Sequence, residues 1–366
     1  MKIAGEKLSR YTLFTPGPID VPEEILRETA KPLCYHREEK FGTLLSEITD
    51  DLKRIIEGDD KIFFLTSSGT GAMEAACSNV LSSGDKPIVA VCGKFGERWL
   101  ELCTAYKIEP IIIKEEDGKC VKPERIEEAL KKTNKPTVIF TTLTETSTGA
   151  LNDMKSFGEI SDRFDAFFIV DGVAGIGADF CQQKDWHIDM LIGASQKALM
   201  APPGISFIST SRRMVERIKK SDLPRYYFNL RLYEKFLTKH QTPFTPAITI
   251  LYGFKRGLEM ILRTGVKKHL EHHSEVAHYV RQRIAKMGFE LLPDSPSNAL
   301  TVVKMPDHID STSVVQEIKE KHHILFADGQ AHLKGTIIRI GHMGNYNVPK
   351  LGKALDALEE VLKHRR

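Results

Sequence analysis

Short runs of apolar residues recur through the first two thirds of the chain, and they lack the polar alternation of a strand with one face in water. The run at residues 167–170, for instance, consists of two phenylalanines, an isoleucine and a valine. Such runs are typical of strands that are covered on both faces of a sheet. The strands predicted in this way are residues 62–65, 88–91, 111–113, 138–140, 167–170, 190–192 and 205–208.

Between these runs, apolar residues return at every third or fourth position, which is the spacing of one helix face. Segments 72–81 and 154–163 are two of the helices predicted on this basis. The clearest stripe consists of Phe41, Leu44, Leu45, Ile48, Leu52, Ile55 and Ile56. Because strands and helices alternate, we predict an α/β fold with a mainly parallel sheet sandwiched by helices.

The pattern changes after residue 250, where a long helix is marked by residues such as Leu251, Phe254 and Leu258. The elements predicted after it are short strands and helices at residues 266–286, 299–304, 312–321, 336–340 and 348–363. This mixture predicts a smaller α+β domain at the carboxyl end of the chain.

The domain organisation follows from this change of pattern. We predict an N-terminal segment over residues 1–20, a large domain over residues 21–262 and a small C-terminal domain over residues 263–366. A cleft between two domains is a common place for a small-molecule site. We therefore expect the ligand to bind between the large and the small domain.

Charge and composition narrow the possible partners. The 52 Lys and Arg nearly balance the 49 Asp and Glu, and the net charge is 52 − 49 = +3. No nucleic-acid partner is expected, because such partners need a concentrated basic excess. No run approaches the ~18 apolar residues of a membrane span, and residues 1–7 lack the apolar core of a secretory signal. The six cysteines form no Cys-x-x-Cys pair, so we expect no metal site and a cytoplasmic protein with reduced thiols.

A segment rich in glycine and hydroxyl residues, 66–74, directly follows the first predicted strand and opens a helix. Its small residues, among them Ser68, Gly69 and Thr70, leave backbone N–H groups free at the positive end of the helix, as a phosphate site requires. A plain helix cap is the competing interpretation. The dinucleotide fingerprint is disfavoured because Glu74 stands where glycine or alanine is needed.

Two ionisable residues stand at the ends of later strands. Asp171 directly follows the run 167–170, so its side chain is expected in the ligand crevice at the carboxyl edge of the sheet. An acidic residue at this position is also typical of a metal ligand, a helix cap or a ribose contact, and these roles stay open for Asp171. Lys197 follows another strand and precedes the uncharged segment 198–205. Desolvation in such a setting lowers the pKa of a lysine and makes its amine nucleophilic.

Together these features match the needs of pyridoxal 5'-phosphate. This cofactor requires a phosphate cup, a carboxylate facing its ring nitrogen and a lysine that forms a Schiff base. The chain supplies all three in that order, each at a strand end. Phe95 is a candidate for the ring on which the cofactor stacks, and a packed core phenylalanine is the competing interpretation.

At these motifs the sequence resembles the class V aminotransferases among the fold type I pyridoxal-phosphate enzymes. The resemblance spans nearly the whole chain, and the ordered coincidence of its motifs is specific although each motif alone is weak. The segment 195–204 resembles the alanine–glyoxylate and serine–glyoxylate (serine–pyruvate) branch of the family. The motifs that carry the resemblance lie at residues 15–18, 68–74, 145–149, 170–173, 193–199, 201–204 and 339–344.

The resemblance implies a role for each matching residue. Lys197 would be the Schiff-base lysine, and Asp171 would keep the ring nitrogen protonated. On the substrate side, Gly17 would line the pocket and Arg339 would bind the α-carboxylate with a planar pair of donors. The implied cofactor-binding residues are Ser68, Gly69, Thr70, Phe95, Ser147, Asp171, Val173, Gln196, Lys197, Thr242 and Thr245.

Two points of this assignment stay open. Thr146 and Thr148 are alternatives to Ser147 for the hydroxyl near the phenolic oxygen of the cofactor. His36 and Arg37 form either an anion contact near the pocket or a solvated pair.

The resemblance also bears on assembly and on substrate. Thr242 and Thr245 would complete the phosphate site of a neighbouring subunit, so a homodimer is expected. The branch has tryptophan where this chain has Phe95 and tyrosine where it has Thr242, and the smaller side chains leave room for different substrates.

We therefore predict a pyridoxal-phosphate-dependent transaminase with ping-pong kinetics. It would move an amino group between a small amino acid of the alanine or serine type and a 2-oxo acid of the pyruvate or glyoxylate type. Alternatives on the same scaffold are 2-aminoethylphosphonate–pyruvate transamination and cysteine desulfuration. Desulfurases carry histidine where this chain has Gln196, and they need a cysteine on a mobile loop.

Overall fold

The computed structural model describes residues 11–58, 60–133 and 137–365, and the predicted elements are present with ends shifted by up to three residues. The strands are β1 (Thr12–Leu13), β2 (Lys61–Leu65), β3 (Ile88–Val91), β4 (Ile111–Lys114), β5 (Val138–Thr142), β6 (Thr144–Glu145), β7 (Ala150–Leu151), β8 (Phe167–Asp171), β9 (Met190–Ala194), β10 (Ser206–Thr210), β11 (Leu300–Lys304), β12 (Ile324–Leu325), β13 (Ala327–Asp328) and β14 (Ile337–Gly341). The helices are α1 (Glu23–Thr29), α2 (Glu39–Ile56), α3 (Gly69–Val80), α4 (Lys94–Ala105), α5 (Pro123–Lys131), α6 (Met154–Arg163), α7 (Arg212–Lys220), α8 (Leu230–Leu237), α9 (Ile248–Thr264), α10 (Val266–Lys286), α11 (Ser311–His322) and α12 (Val348–Lys363).

A seven-stranded sheet forms the centre of the fold, with the strand order β2-β10-β9-β8-β5-β3-β4. Its strands run parallel except β10, which is antiparallel to both of its neighbours. In the register of these pairs, Ser206 of β10 stands between Leu65 of β2 and Ala194 of β9. The predicted mainly parallel sheet is therefore confirmed, with one reversed strand inside it.

Both faces of this sheet are covered by helices. In β8, Phe168 and Val170 belong to the apolar cluster that includes α2, α5, α6 and α9, whereas Ile169 belongs to the cluster with α3, α4, α7 and α8. The uniform apolar runs of the sequence arise because each strand alternates between these two buried clusters. The predicted coverage is wrong for β4, since this strand lies at the sheet edge and Ile112 is 52% exposed.

The carboxyl-terminal elements form an α+β unit around a second sheet. Strands β11, β14 and β13 make a three-stranded antiparallel sheet, and α10, α11 and α12 pack with it in a separate apolar cluster. Helices α9 and α10 meet at Gly265, close to the predicted domain boundary at residues 262 and 263, which stays a prediction.

The N-terminal segment belongs to this second unit in its first described part. Strand β1 pairs in parallel with β12, and Phe14 packs in the carboxyl-terminal cluster against Phe326 and Tyr346. The predicted segment spans residues 1–20, and its first ten residues lie outside the described part of the chain. Within the described ranges, no helix has both the length and the apolar character needed to cross a bilayer.

The carboxyl ends of the parallel strands meet at one edge of the large sheet. Residues that follow β2, β3, β5, β8 and β9 converge there, and they include every strand-end residue that the sequence singled out. This edge is the candidate site.

Candidate active site

Lys197 lies in the turn between β9 and β10, where it is half-buried. Its ammonium group donates a hydrogen bond to the carbonyl oxygen of Pro16. Burial lowers the pKa of Lys197 to about 8, and the charges of Arg339 and Arg98 act in the same direction while Asp171 opposes them. A sizeable fraction of this amine is therefore neutral and nucleophilic near neutral pH.

Gly17 lies directly against the side chain of Lys197. A Cβ atom built on Gly17 would stand 2.6 Å from Cε and 2.7 Å from Cδ of Lys197. The φ angle of Gly17 is +129°, a conformation that other residues rarely adopt. The N-terminal segment thus reaches the lysine, and at this position it has room only for glycine.

Asp171 is the last residue of β8 and is 4% exposed. Its Oδ1 accepts a hydrogen bond from the backbone N–H of Val173 at 3.0 Å. Burial raises the pKa of Asp171 to about 6, with a smaller contribution from Glu145, while Arg98 and Lys197 partly offset the rise. A buried carboxylate of this kind gains from a cationic ring nitrogen placed beside it.

The phosphate-cup segment opens α3, as the sequence predicts. Ser68 precedes the helix, and Gly69 is its first residue, so the helix begins three residues before the predicted start. A Cβ atom on Gly69 would stand 2.7 Å from Cγ2 of Val173, so this glycine allows the cup to pack on the strand end that carries Asp171. The free N–H groups at the start of α3 suit an anion.

Phe95 stands in the first turn of α4 and is half-buried, which disfavours the core interpretation. Arg98, one turn further along, was missed by the sequence argument. Its Nη1 donates to the hydroxyl of Thr70 at 3.1 Å, and its guanidinium lies 4.8 Å from the centre of the Phe95 ring. Among the described residues Arg98 has no carboxylate partner, and its charge lowers the pKa of Asp171.

Glu145 was also missed, although it lies within a motif that carries the family resemblance. It is 0% exposed at the end of β6. Oε2 accepts the backbone N–H groups of Phe95 at 2.9 Å and Gly96 at 3.0 Å. Oε1 accepts the backbone N–H of Ser147 at 3.1 Å and its hydroxyl at 2.6 Å. Burial raises the pKa of Glu145, and these donors act against the rise.

The three candidate hydroxyls, those of Thr146, Ser147 and Thr148, differ in the hydrogen bonds that they already make. The hydroxyl of Ser147 donates to Glu145 and accepts the backbone N–H of Lys94 at 3.0 Å. The hydroxyl of Thr148 donates to the carbonyl oxygen of Cys92 at 3.3 Å. The hydroxyl of Thr146 makes no hydrogen bond to any residue that the structure describes, so it is the one of the three that is free for a ligand.

Arg339 stands in β14 of the second sheet and is 7% exposed. Its Nε donates to the carbonyl oxygen of Asp328 at 2.8 Å, and Nη1 donates to the carbonyl oxygen of Thr146 at 3.2 Å. Burial lowers the pKa of Arg339, and the charges of Asp328 and Glu145 oppose this shift. In the described part of the chain Nη2 has no hydrogen-bond acceptor, so it is available to a substrate carboxylate.

Within the part of the chain that the structure describes, the buried Oε1 of Gln196 has no hydrogen-bond partner. The residues predicted to serve a neighbouring subunit are not brought to Lys197 by hydrogen bonds within the described ranges. The hydroxyl of Thr242 donates to the carbonyl oxygen of Phe244 at 2.7 Å, and Thr245 is exposed. Both lie on the loop between α8 and α9.

Arg37 holds this loop rather than an anion. Its Nη1 donates to the carbonyl oxygen of Thr242 at 2.6 Å and to Oε1 of Gln241 at 3.2 Å. Its Nη2 donates to the carbonyl oxygen of Pro243 at 3.1 Å. The anion-contact interpretation of the pair at residues 36 and 37 is thus disfavoured for Arg37.

The residues at this edge fit pyridoxal phosphate. Among the described residues, the hydroxyl of Thr146 and Nη2 of Arg339 are donors without a hydrogen-bond partner, and the buried Oε1 of Gln196 is an acceptor without one. A buried carboxylate and a lysine of lowered pKa stand among them. The fold and this site together define an aminotransferase of the fold type I class.

The sequence matches the family described as Aminotransferase class-V over residues 24–348, and the chain belongs to this family. It is 36% identical to an uncharacterised aminotransferase of Methanocaldococcus jannaschii, over 96% of this chain and 92% of that protein. It is 34% identical to a protein of Synechococcus named soluble hydrogenase, small subunit, over 96% and 92%. It is 29% identical to the L-aspartate–glyoxylate aminotransferase of Paracoccus denitrificans, over 92% and 87%.

A solved structure extends the similarity to three dimensions. The alanine–glyoxylate aminotransferase of Nostoc superposes with a TM-score of 0.94 at 25% identity, over 99% of this chain and 98% of that one. The family and this fold imply pyridoxal phosphate as cofactor. The predictions of an aminotransferase and of a fold type I architecture are confirmed.

Proposed function

We propose that this aminotransferase uses pyridoxal phosphate to move an amino group between a small amino acid of the alanine or serine type and a 2-oxo acid of the pyruvate or glyoxylate type. The observation that carries the proposal is that Lys197, in the turn after β9, shares its site with the buried Asp171 at the end of β8 and the buried Arg339, whose charges both act on its pKa. The aspartate–glyoxylate and alanine–glyoxylate activities named for two similar proteins support glyoxylate or a related acid as acceptor.

The chain's own groups have distinct tasks in this reaction. When bound, the cofactor supplies an aldehyde carbon for the Lys197 amine and a ring that accepts electrons. Lys197, as a neutral amine, would remove the α-proton of the substrate and deliver it to the former aldehyde carbon of the cofactor. Asp171 holds a proton on the ring nitrogen, which keeps the ring electron-accepting. The alternation of two half-reactions on one site predicts ping-pong kinetics.

The cofactor would be held by groups at the sheet edge. The start of α3 with Ser68, Gly69 and Thr70 would bind the phosphate, together with the side-chain NH2 of Gln196, since its amide oxygen cannot donate to a phosphate. The ring would lie between the side chains of Phe95 and Val173. For the phenolic oxygen we propose the hydroxyl of Thr146, because the hydroxyl of Ser147 is already donated to Glu145.

The substrate would be oriented by Arg339 and enclosed by Gly17. The free Nη2 of Arg339 would donate to the α-carboxylate while Nε and Nη1 hold the guanidinium in place. Because Gly17 adjoins Lys197, the N-terminal segment would form one wall of the pocket. We also propose the division into an N-terminal segment over residues 1–20, a large domain over residues 21–262 and a small domain over residues 263–366, which the junction of α9 and α10 at Gly265 supports.

We also propose a cytoplasmic homodimer in which Thr242 and Thr245 complete the phosphate site of the other subunit. Exposed aromatic residues beside their loop support this proposal. Tyr226 is 80% exposed, and Tyr227 stacks on Phe244 with ring centres 4.9 Å apart. Large exposed apolar groups of this kind mark interaction surfaces.

The alternative reactions gain no support. Desulfuration would need an accessible cysteine, but five of the six cysteines are buried and Cys120 is half-buried. Burial also raises the pKa of Cys92 and Cys181, so these thiols are poor nucleophiles. The named similar proteins favour amino acid–glyoxylate transamination over phosphonate transamination.

The proposal is tested on the full chain reconstituted with pyridoxal phosphate. Alanine, serine, aspartate and 2-aminoethylphosphonate are added singly, and loss of the visible absorbance of the bound cofactor is followed in a single turnover. Small amino acids should respond, and Lys197→Ala should abolish the response while the control Lys94→Ala retains it. Full turnover by Lys197→Ala, or a response to the phosphonate alone, would contradict the proposal.

A further inference from the structure

Glu145 lies at the meeting point of three parts of the chain. Its Oε2 accepts two backbone N–H groups from the first turn of α4, which carries Phe95. Its Oε1 accepts two donors from Ser147, which follows it by two residues. The carbonyl oxygen of the intervening Thr146 accepts the hydrogen bond from Nη1 of Arg339 in the second sheet.

The carboxylate of Glu145 is fully buried, and both of its oxygens accept hydrogen bonds. Glu145 is 0% exposed, and each of its two oxygens accepts two hydrogen bonds. The neighbouring backbone leaves no space for change, because a Cβ atom on Gly93 would stand 2.5 Å from Cγ of Glu145. A buried carboxylate persists only where such donors and the start of a helix stabilise its charge.

Its charge also reaches the catalytic groups. Glu145 contributes to the raised pKa of Asp171 and opposes the lowered pKa of Arg339. The same carboxylate therefore affects the carboxylate at the ring nitrogen and the arginine at the substrate end. A glutamate that only filled space, or only capped a helix, would not have to influence both Asp171 and Arg339.

We propose that Glu145 is a positioning residue for the transamination, which fixes the cofactor-stacking Phe95 and the substrate-binding Arg339 relative to each other. It acts through backbone hydrogen bonds at Phe95 and through the segment 145–147 at Arg339. This inference rests on the proposed function, because Phe95 and Arg339 have these tasks only in a pyridoxal-phosphate transaminase.

The substitution Glu145→Gln tests the proposal with little change of shape. All four partners of the carboxylate donate hydrogen bonds, so an amide NH2 on either side must face at least one donor. We expect at least a tenfold weaker affinity for pyridoxal phosphate and at least a tenfold higher KM for the amino acid. The pH titration of the bound-cofactor absorbance should also shift to lower pH, because a nearby negative charge is lost.

Asp189→Asn is the control for the loss of a buried, hydrogen-bonded carboxylate away from the site. Asp189 accepts a backbone N–H from Phe168 at 3.0 Å and the hydroxyl of Ser211 at 2.7 Å, and unlike Glu145 it also pairs with the guanidinium of Arg213 at 2.7 Å. It precedes β9 and therefore lies at the opposite edge of the sheet from Lys197. We expect this variant to lose thermal stability as well, but to keep the wild-type cofactor affinity, KM and pH titration.

The results of these substitutions distinguish a positioning role of Glu145 from a purely structural one. A Glu145→Gln chain that loses only thermal stability, as the control does, would overturn the positioning role. If that variant does not fold, Ser147→Ala replaces it, since it removes one donor to Oε1 and leaves the charge. A smaller rise in KM and in the cofactor dissociation constant is then expected, and unchanged values would overturn the proposal. If the wild-type chain itself binds no pyridoxal phosphate, the proposed function fails instead.

A double-mutant cycle tests the link between the two ends of the site. Arg339→Lys should raise KM for the amino acid in the wild-type background. If Glu145 positions Arg339, the same substitution in the Glu145→Gln background should raise KM by a clearly smaller factor. Equal factors in both backgrounds would show that the two residues act independently and would overturn the link.

Discussion

Gly17 lies directly against the side chain of Lys197. A Cβ atom at residue 17 would overlap the lysine chain, with separations of 2.6 Å to Cε and 2.7 Å to Cδ. The two residues are 180 positions apart in the sequence, yet the fold sets them against each other. The surroundings of the amine therefore include a segment that packs with the carboxyl-terminal unit.

Gly17→Ala is expected to lower the rate of cofactor capture and the turnover at least tenfold, because the new methyl group displaces the Lys197 amine. The loss of thermal stability should be modest, since the segment lies at the pocket surface. Gly84→Ala is the control, because Gly84 also has a positive φ of +82° but has open space around it. Equal effects of both substitutions on cofactor capture would show that strain, and not the collision with Lys197, is responsible.

The pKa of Lys197 predicts how cofactor capture depends on pH. The neutral amine is the reactive form, and its pKa is lowered from 10.5 to about 8 by burial. The rate at which the cofactor-free chain captures pyridoxal phosphate should rise with pH and level off above about pH 8. A stopped-flow series from pH 6 to pH 10 measures this rate. A rate that still increases between pH 9 and pH 10 would show an ordinary lysine.

Asp171 should destabilise the fold that has no cofactor. Its folded pKa of about 6 exceeds the ordinary value of 3.8, so the ionised form is disfavoured by roughly 3 kcal/mol. This penalty is absent below the unfolded pKa, grows as pH rises towards 6, and is fully present above it. Asp171→Asn should therefore raise the free energy of unfolding of the cofactor-free chain at pH 7.5 and leave it nearly unchanged at pH 3.5.

The same variant should lose the benefit of the cofactor. Added pyridoxal phosphate should stabilise the wild-type chain more than Asp171→Asn, because only the carboxylate gains from a protonated ring nitrogen. Thermal unfolding of both chains with and without cofactor measures the difference. A cofactor-free Asp171→Asn chain that is less stable than wild type at pH 7.5 would contradict the argument.

The hydroxyl that meets the cofactor can be identified by spectroscopy. Thr146→Val removes the uncommitted hydroxyl, so it should shift the absorbance maximum of the bound cofactor and leave thermal stability close to wild type. Ser147→Ala removes a hydrogen bond to buried Glu145, so it should lower stability by about 1–3 kcal/mol and leave the maximum in place. The opposite pattern would assign the contact to Ser147.

Arg37 should act on cofactor binding from a distance. Its guanidinium holds the loop of Thr242 through three hydrogen bonds, and this loop is proposed to serve the other subunit. Arg37→Gln should weaken both dimerisation and cofactor affinity, as measured by sedimentation and by cofactor titration. Arg27→Gln is the control, because Arg27 is exposed and, among the described residues, its ion pair is with Glu23 of its own helix. A dimeric Arg37→Gln chain with wild-type affinity would refute the role.

The sequence was informative where local pattern and function coincide. The central strands were predictable because each alternates between two buried apolar clusters, and the strand-end residues Asp171 and Lys197 followed from that placement. The exposure of Ile112 was not predictable, because the strand order that puts β4 at the edge is a long-range property. Helices α1, α4, α5, α7 and α8 were not predicted either.

The supporting residues of the site were harder to find. Glu145 and Arg98 act through partners that are 50 and 28 positions away in sequence, and pattern alone does not reveal such pairs. The choice among three adjacent hydroxyls likewise depends on which neighbours already use them. A glutamate inside an otherwise uncharged run, residues 138–152, was the one available signal for Glu145.

The reversed strand β10 determines how far apart the ends of its two neighbours, β2 and β9, lie. It separates β2, which leads into the phosphate cup, from β9, which leads into the lysine turn, and Ser206 stands level with Leu65 and Ala194. Adjacent strands lie about 4.8 Å apart, so the two strand ends are held roughly 10 Å from each other. The hydrogen-bonded strands β2, β10 and β9 thus fix the separation between the anion-binding end of the site and the end that carries the amine. The backbone spacing therefore limits the length of a ligand that reaches both ends, independently of the side chains.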